Sequence, residues 1–217
     1  MLSISKSLTA KDLQYRYLGG IAALMLISLL SSLSGLSSDH TISNAWDGLL
    51  WGLADPVLQL DSLGSVIAIG LLSASVLDDS LITLSLLSSA VLGILLHLLE
   101  MDFFGADMAI AISTIVLGGM LVIPQQRHSL VLVILGAIAG ASQGYAATPS
   151  LNGVVNLPTL TYVLGTILTL YAVAISAKKI GNSINREMMQ NAVLRMTQVL
   201  GLAVCGIGIV FLYSLIP

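Results

Sequence analysis

The sequence predicts an all-α fold, a polytopic bundle of seven transmembrane helices. Three observations lead there. The 217 residues are 56% hydrophobic and only 9% charged, against about 25% charged in a soluble domain. The apolar residues fall in long continuous runs rather than alternating, so helices and not a β-barrel must satisfy the backbone in lipid. Finally, all eight Lys and Arg (Lys6, Lys11, Arg16, Arg127, Lys178, Lys179, Arg186 and Arg195) fall in the N-terminal tail or in loops of one parity. The loops of the other parity hold Asp39, Asp47, Asp55, Asp61, Glu100, Asp102 and Asp107 and no Lys or Arg. Basic residues near span ends stay cytoplasmic. The expectation is a cytoplasmic N-terminus and a C-terminus on the opposite side.

The whole chain reads as one transmembrane domain. The first span, 18–36, follows a tail with three basic residues. It reads as a retained helix or as a cleavable signal peptide, because Ser34 to Ser38 offers a small-residue cleavage region. Cleavage would leave six spans with the same sidedness. Next, 46–60 is too apolar for an ordinary loop and shorter than the roughly 20 residues a crossing needs. Trp46 and Trp51 suit a membrane interface, and Asp55-Pro56 breaks the segment. Two readings stay open: a surface helix with a turn at Pro56, or a short re-entrant segment lining a cavity.

The second span is 63–77, ending in an inner Asp78-Asp79-Ser80 turn, and the third is 81–99, with His97 near its outer end. The fourth is 108–123, closed by Pro124-Gln-Gln-Arg127. The fifth is 130–147. The sixth, 159–177, is followed by a basic helical extension or linker, and the seventh is 196–216.

Net charge is −3, with no basic stripe for nucleic acid. The lone Cys205 excludes an intramolecular disulfide and a thiolate cage and reads as a packing residue. No nucleophile triad, phosphate loop or paired catalytic carboxylates stand out, so the chain does not read as an enzyme. Gly136, Gly140 and Gly144 lie four residues apart on one helix face, which permits close helix approach. Gln143 beside them needs a partner in hydrocarbon, either as interhelical glue or facing a polar cavity. Asp55, Asp61, His97 and Asp107, near span ends on one side, could gather a cation or form a solvated acidic rim. Asp61 is the sharpest of these. A carboxylate so close to the apolar zone is costly unless paired or hydrated.

Three stretches carry a family resemblance. Asp55-Pro56-Val57-Leu58-Gln59-Leu60-Asp61-Ser62 is similar to a His-Pro-x-x-Gly-x-Asp-His run opening a helix. Pro56 and Asp61 agree; both histidines and the glycine are replaced. Gly105-Ala106-Asp107-Met108 is similar to a stretch with a Glu at the place of Asp107. Ala139-Gly140-Ala141-Ser142-Gln143-Gly144 stands where a His-Gly-His-Ala-His-Gly run would be. From about residue 45 onward the chain resembles the HupE/UreJ family of small membrane proteins. The resemblance implies a nickel- or cobalt-type permease or metal-supply accessory protein in a bacterial inner membrane or an internal membrane. It implies a divalent cation as cargo rather than a tightly bound cofactor, with Asp55, Asp61, His97, Asp107 and Gln143 along the path. The missing imidazoles leave oxygen ligands and an amide. A second expectation follows: a ligand-poor relative serving as a subunit or assembly factor of a larger membrane complex.

Overall fold

A computed structural model describes residues 19–31 (22 excepted), 42–76, 79–101, 105–123, 128–147, 156–186 and 190–215, without the side chains of 79, 183–186 and 190–196. Among the described residues every regular element is a helix: α1 (Gly19–Ser31), α2 (Ala45–Leu58), α3 (Leu60–Ser73), α4 (Asp79–Leu98), α5 (Ala106–Val122), α6 (Ser129–Ala146), α7 (Leu157–Arg186) and α8 (Gln190–Ser214). The chain is an all-helical bundle.

Four helices are long and apolar enough to cross a membrane: Ser80–Leu98, Ser129–Ala146, Leu157–Asn182 and Thr197–Ser214. A fifth crossing forms if α2 and α3, bent by 77°, count as one broken span. The sequence-derived number of seven is therefore not what the described helices establish. α5 has 17 residues, about 25 Å at 1.5 Å per residue, short of a hydrocarbon core of about 30 Å. α7 does not stop at Ala177 but runs on through Lys178 and Lys179 to Arg186. The segment stays helical where it packs on α3, with Ile180 buried and Gly181 against Leu71 and Ala74, contacts that outweigh the weak helix propensity of Gly181 and Asn182.

Large apolar side chains point outward. Leu84, Leu92, Leu164, Leu168, Leu202 and Val210 are each more than half exposed. Such a surface is at home against lipid and a liability in water.

The 46–60 region becomes helix for local reasons. Asn44 caps α2, its Oδ1 accepting the N–H of Trp46 and of Asp47 at 2.9 Å. Its Nδ2 donates to Asp47 Oδ2 at 2.7 Å, and that carboxylate also suits the positive end of the helix. Pro56 lacks the N–H that would bond the Gly52 carbonyl. Neighbouring hydroxyls serve the disturbed backbone near it: Thr169 donates to the Leu53 carbonyl at 3.1 Å, and Ser28 to the Leu58 carbonyl at 3.4 Å. Gln59 then turns extended, φ −87 and ψ 108, and α3 departs in a new direction.

α3 is the axis of the bundle. Every residue from Ser62 to Ser73 is buried, as befits a stretch whose only polar side chains are serines. Around it α4 pairs chiefly with α6, α2 with α7 and α5 with α8. Small residues set these contacts. A Cβ on Gly140 or Gly144 would collide with the carbonyl oxygen of Leu86 or Ala90 on α4, and one on Gly52 with the Tyr162 carbonyl on α7. Gly136, in contrast, has 3.5 Å to the nearest backbone oxygen, that of Ile82. Between α5 and α8, a Cβ on Gly118 would stand 2.6 Å from the Cys205 nitrogen, and the Cys205 thiol donates to the Ile115 carbonyl at 3.2 Å.

Candidate functional site: the broken-helix elbow

Two half-helices meet at Gln59. The last carbonyls of α2 and the first N–H groups of α3 are there, and neither set has a full complement of intrahelical partners. Asp61, in the first turn of α3, has its carboxylate near the backbone N–H of Ser62 and its own. It is half-buried. Exposed Asp107, in the first turn of α5, lies within electrostatic range of Asp61. The bundle thus brings together two carboxylates 46 positions apart in sequence.

One turn further along α3 is Ser65, fully buried. Its hydroxyl donates to the Ser62 carbonyl at 2.8 Å and accepts the Nε2 proton of Gln143 on α6. Gln143 is 4% exposed, and its Oε1 is buried with no hydrogen-bond partner. This amide therefore joins α6 to the axis helix while leaving one acceptor unused. Asp61 and Ser65 are four residues apart, so they share a face of α3. The polar groups Asp61, Ser65 and Gln143 line one side of the helix that follows the elbow.

The amide gives a clean energetic test. Ser65→Ala strands the Gln143 donor and should destabilise by roughly 1–2 kcal/mol. Replacing both partners, Ser65→Ala with Gln143→Leu, should return stability to near that of the unmodified protein, because no buried polar atom is then orphaned. Thermal unfolding of the three variants in detergent reads this directly. A double variant as unstable as Ser65→Ala would show that the pair is not what matters.

Asp55 belongs to a different constellation. It is 5% exposed, and its Oδ2 is 2.8 Å from the Tyr162 hydroxyl on α7. The same hydroxyl is 2.6 Å from the carbonyl oxygen of Ala147, the C-cap of α6. Tyr162 is fully buried, with Ile42, Trp51 and Leu98 packed around it and Ala147. Sequence reasoning missed Tyr162 and Ser65. A tyrosine deep in an apolar run needs a partner for its hydroxyl, and that requirement was the available signal.

His97 joins neither group by a hydrogen bond. Its ring meets Tyr145 edge-on, 4.8 Å between centroids and 72° between planes, and its Nδ1 is buried without a hydrogen-bond partner. Glu100 is exposed just beyond α4, in the left-handed region at φ 55. His40, Asp39, Asp102 and Arg127 lie outside the described residues.

The chemistry available is thus that of oxygen. Among the described residues, no three His, Cys, Asp or Glu side chains gather so as to hold a metal ion. A passing cation would meet carboxylates, hydroxyls, an amide oxygen and backbone carbonyls, the donors that suit hard ions. A family model described as HupE / UreJ protein matches residues 27–211. No curated protein and no solved structure matches the chain.

Proposed function

Because the chain belongs to the HupE/UreJ family, we propose that it moves a divalent metal cation across its membrane, with the α2–α3 elbow as the path's entrance. One observation carries this reading: the 77° break between α2 and α3, with Asp61 at its corner. Irregular backbone at membrane depth is tolerated where it is buried in protein or lines a cavity. Broken helices of this kind place half-helix ends at the ion and substrate sites of transporters. Asp61 collects the cation, Asp107 raises the local negative field, and the free Oε1 of Gln143 is the next oxygen inward. His97 stands at the outer rim. The N-terminus is cytoplasmic in this reading, following the distribution of Lys and Arg.

The oxygen-rich set selects against nickel as the preferred cargo, since nickel favours imidazole. Manganese or magnesium fits the donors better. No catalytic role enters.

The absence of a three-ligand cluster among the described residues also favours a second reading: a subunit or assembly factor in a larger membrane complex. Uptake decides between them. Cells producing the chain should accumulate a divalent cation, and cells producing Asp61→Asn should not. Uptake that is unchanged by the substitution takes Asp61 off the path. Co-migration with a large complex in mild detergent, without uptake, favours the second reading.

A further inference from the structure

The contacts of Tyr162 do not balance in protons if Asp55 is ionised. Its hydroxyl oxygen is 2.6 Å from the Ala147 carbonyl oxygen and 2.8 Å from Asp55 Oδ2. Both separations are hydrogen-bond lengths for O–H···O. A phenol brings one proton and a backbone carbonyl none. Two separate two-centre bonds of these lengths need two protons, and of the three oxygens only the Asp55 carboxyl can carry the second. An ionised Asp55 would leave one of the two acceptors facing oxygen lone pairs at hydrogen-bond distance. Hydrogen positions follow from the network in this way. Tyr162 is fully buried and Asp55 nearly so, so the protons of this pair are held inside the protein rather than shared with bulk water.

We propose that Asp55 and Tyr162 form a proton-binding site, in which Asp55 donates to Tyr162 and Tyr162 donates to Ala147. Loss of the proton breaks the Asp55 O–H bond and sends H⁺ to water. The carboxylate left behind only accepts, so Tyr162 turns its O–H toward Asp55. The Ala147 carbonyl then loses its donor, and the C-terminal end of α6 is released from α7.

That release reaches the elbow by a short route. The Ala147 N–H bonds the Gln143 carbonyl at 2.9 Å, and the Gln143 side chain holds Ser65, one turn from Asp61. The proton at Asp55 therefore sets whether the C-terminal end of α6 is hydrogen-bonded to α7 as well as to α3, while the α4 contact stays as it is. Coupling of this proton to cation movement rests on the cation-path reading; the proton site itself does not.

Other titratable groups on the surrounding elements are Asp47 on α2, Asp61 on α3, His97 on α4, Tyr145 on α6, and Tyr171, Lys178 and Lys179 on α7. His97 and Tyr145 are engaged with each other. Lys178 is roughly 24 Å along α7 from Tyr162 at 1.5 Å per residue. Besides Asp55, the side chain that acts on the Tyr162 hydroxyl is Thr166, whose own hydroxyl proton is donated to the Tyr162 carbonyl.

The test is infrared difference spectroscopy of the purified, folded protein as pH is raised from neutral. The protein should show the carbonyl stretch of a protonated carboxyl, lost at high pH. The band should be absent in Asp55→Asn and should move to higher frequency in Tyr162→Phe, where the carboxyl loses its acceptor. Asp55→Glu, which keeps an acid, should retain a band. Folded protein with no Asp55-dependent band at neutral pH overturns the proposal, as does a band unmoved by Tyr162→Phe. A band in a protein that moves no cation supports the proton site and removes only the transport reading.

Discussion

Gly144→Leu should abolish the folded protein. Even the first carbon of the new side chain would occupy the place of the Ala90 carbonyl oxygen, and the Ala90 Cα would be 3.0 Å away. These are backbone atoms of α4, and no rotamer change removes them. Helices α4 and α6 would have to part along their most extensive contact. Overpacking a core costs about 1–3 kcal/mol and occasionally more; a backbone obstacle belongs at or above the upper end. Gly136→Ala, two turns earlier on the same face, should be tolerated. Its Cβ would meet the Ile82 oxygen at 3.5 Å, an ordinary contact, and Ala favours helix over Gly by about 1 kcal/mol. Fluorescence of Trp46 and Trp51 during thermal unfolding in detergent reads both variants. Equal stability of the two would mean that the α4–α6 approach is not as close as described.

Asp61→Asn should reduce cation uptake to the background of cells lacking the protein. The substitution preserves shape and keeps an oxygen, so packing survives. What it removes is the one negative charge at the corner of the broken helix. Asp107→Asn should cause only a partial loss, because Asp107 is exposed and acts on Asp61 through the field rather than standing at the elbow. Water screens such a charge, so the Asp107 effect should fade as salt rises, whereas the Asp61 effect should not. Equal losses in the two variants at all ionic strengths would place the cation between the carboxylates rather than at Asp61.

Much of the architecture was legible because lipid leaves few options. Long apolar runs in a chain so poor in charge had to be helices, and Asp55-Pro56 pointed to a break in 46–60, although the helix continues through Pro56 and turns three residues later, at Gln59. Length was less legible. Hydropathy falls at Lys178 and left helix or linker open beyond it; the helical alternative holds as far as Arg186, since backbone bonding continues where apolar side chains stop. The central place of α3 was hidden as well: a helix buried on every side has no amphipathic stripe to reveal its neighbours.

For the site, the sequence singled out Asp61, Asp107 and Gln143 but could not pair them. Asp55 and Tyr162 are separated by 107 positions, and Gln143 and Ser65 by 78. Such partners are set by which helices touch, and spacing within one helix carries no trace of that. The glycines illustrate the same limit. The four-residue spacing of Gly136, Gly140 and Gly144 defines a face, yet only the facing helix decides that Gly140 and Gly144 meet backbone while Gly136 does not.

The central claim is that this bundle alone offers a cation a route past the α2–α3 elbow. Flux into liposomes reconstituted with the purified protein, read by a divalent-ion indicator sealed inside, tests it most directly. The expected result is manganese entry through the unmodified protein and none through Asp61→Asn. Folded protein in tight vesicles that admits no divalent cation, or entry that is equally fast with Asn at position 61, would contradict it.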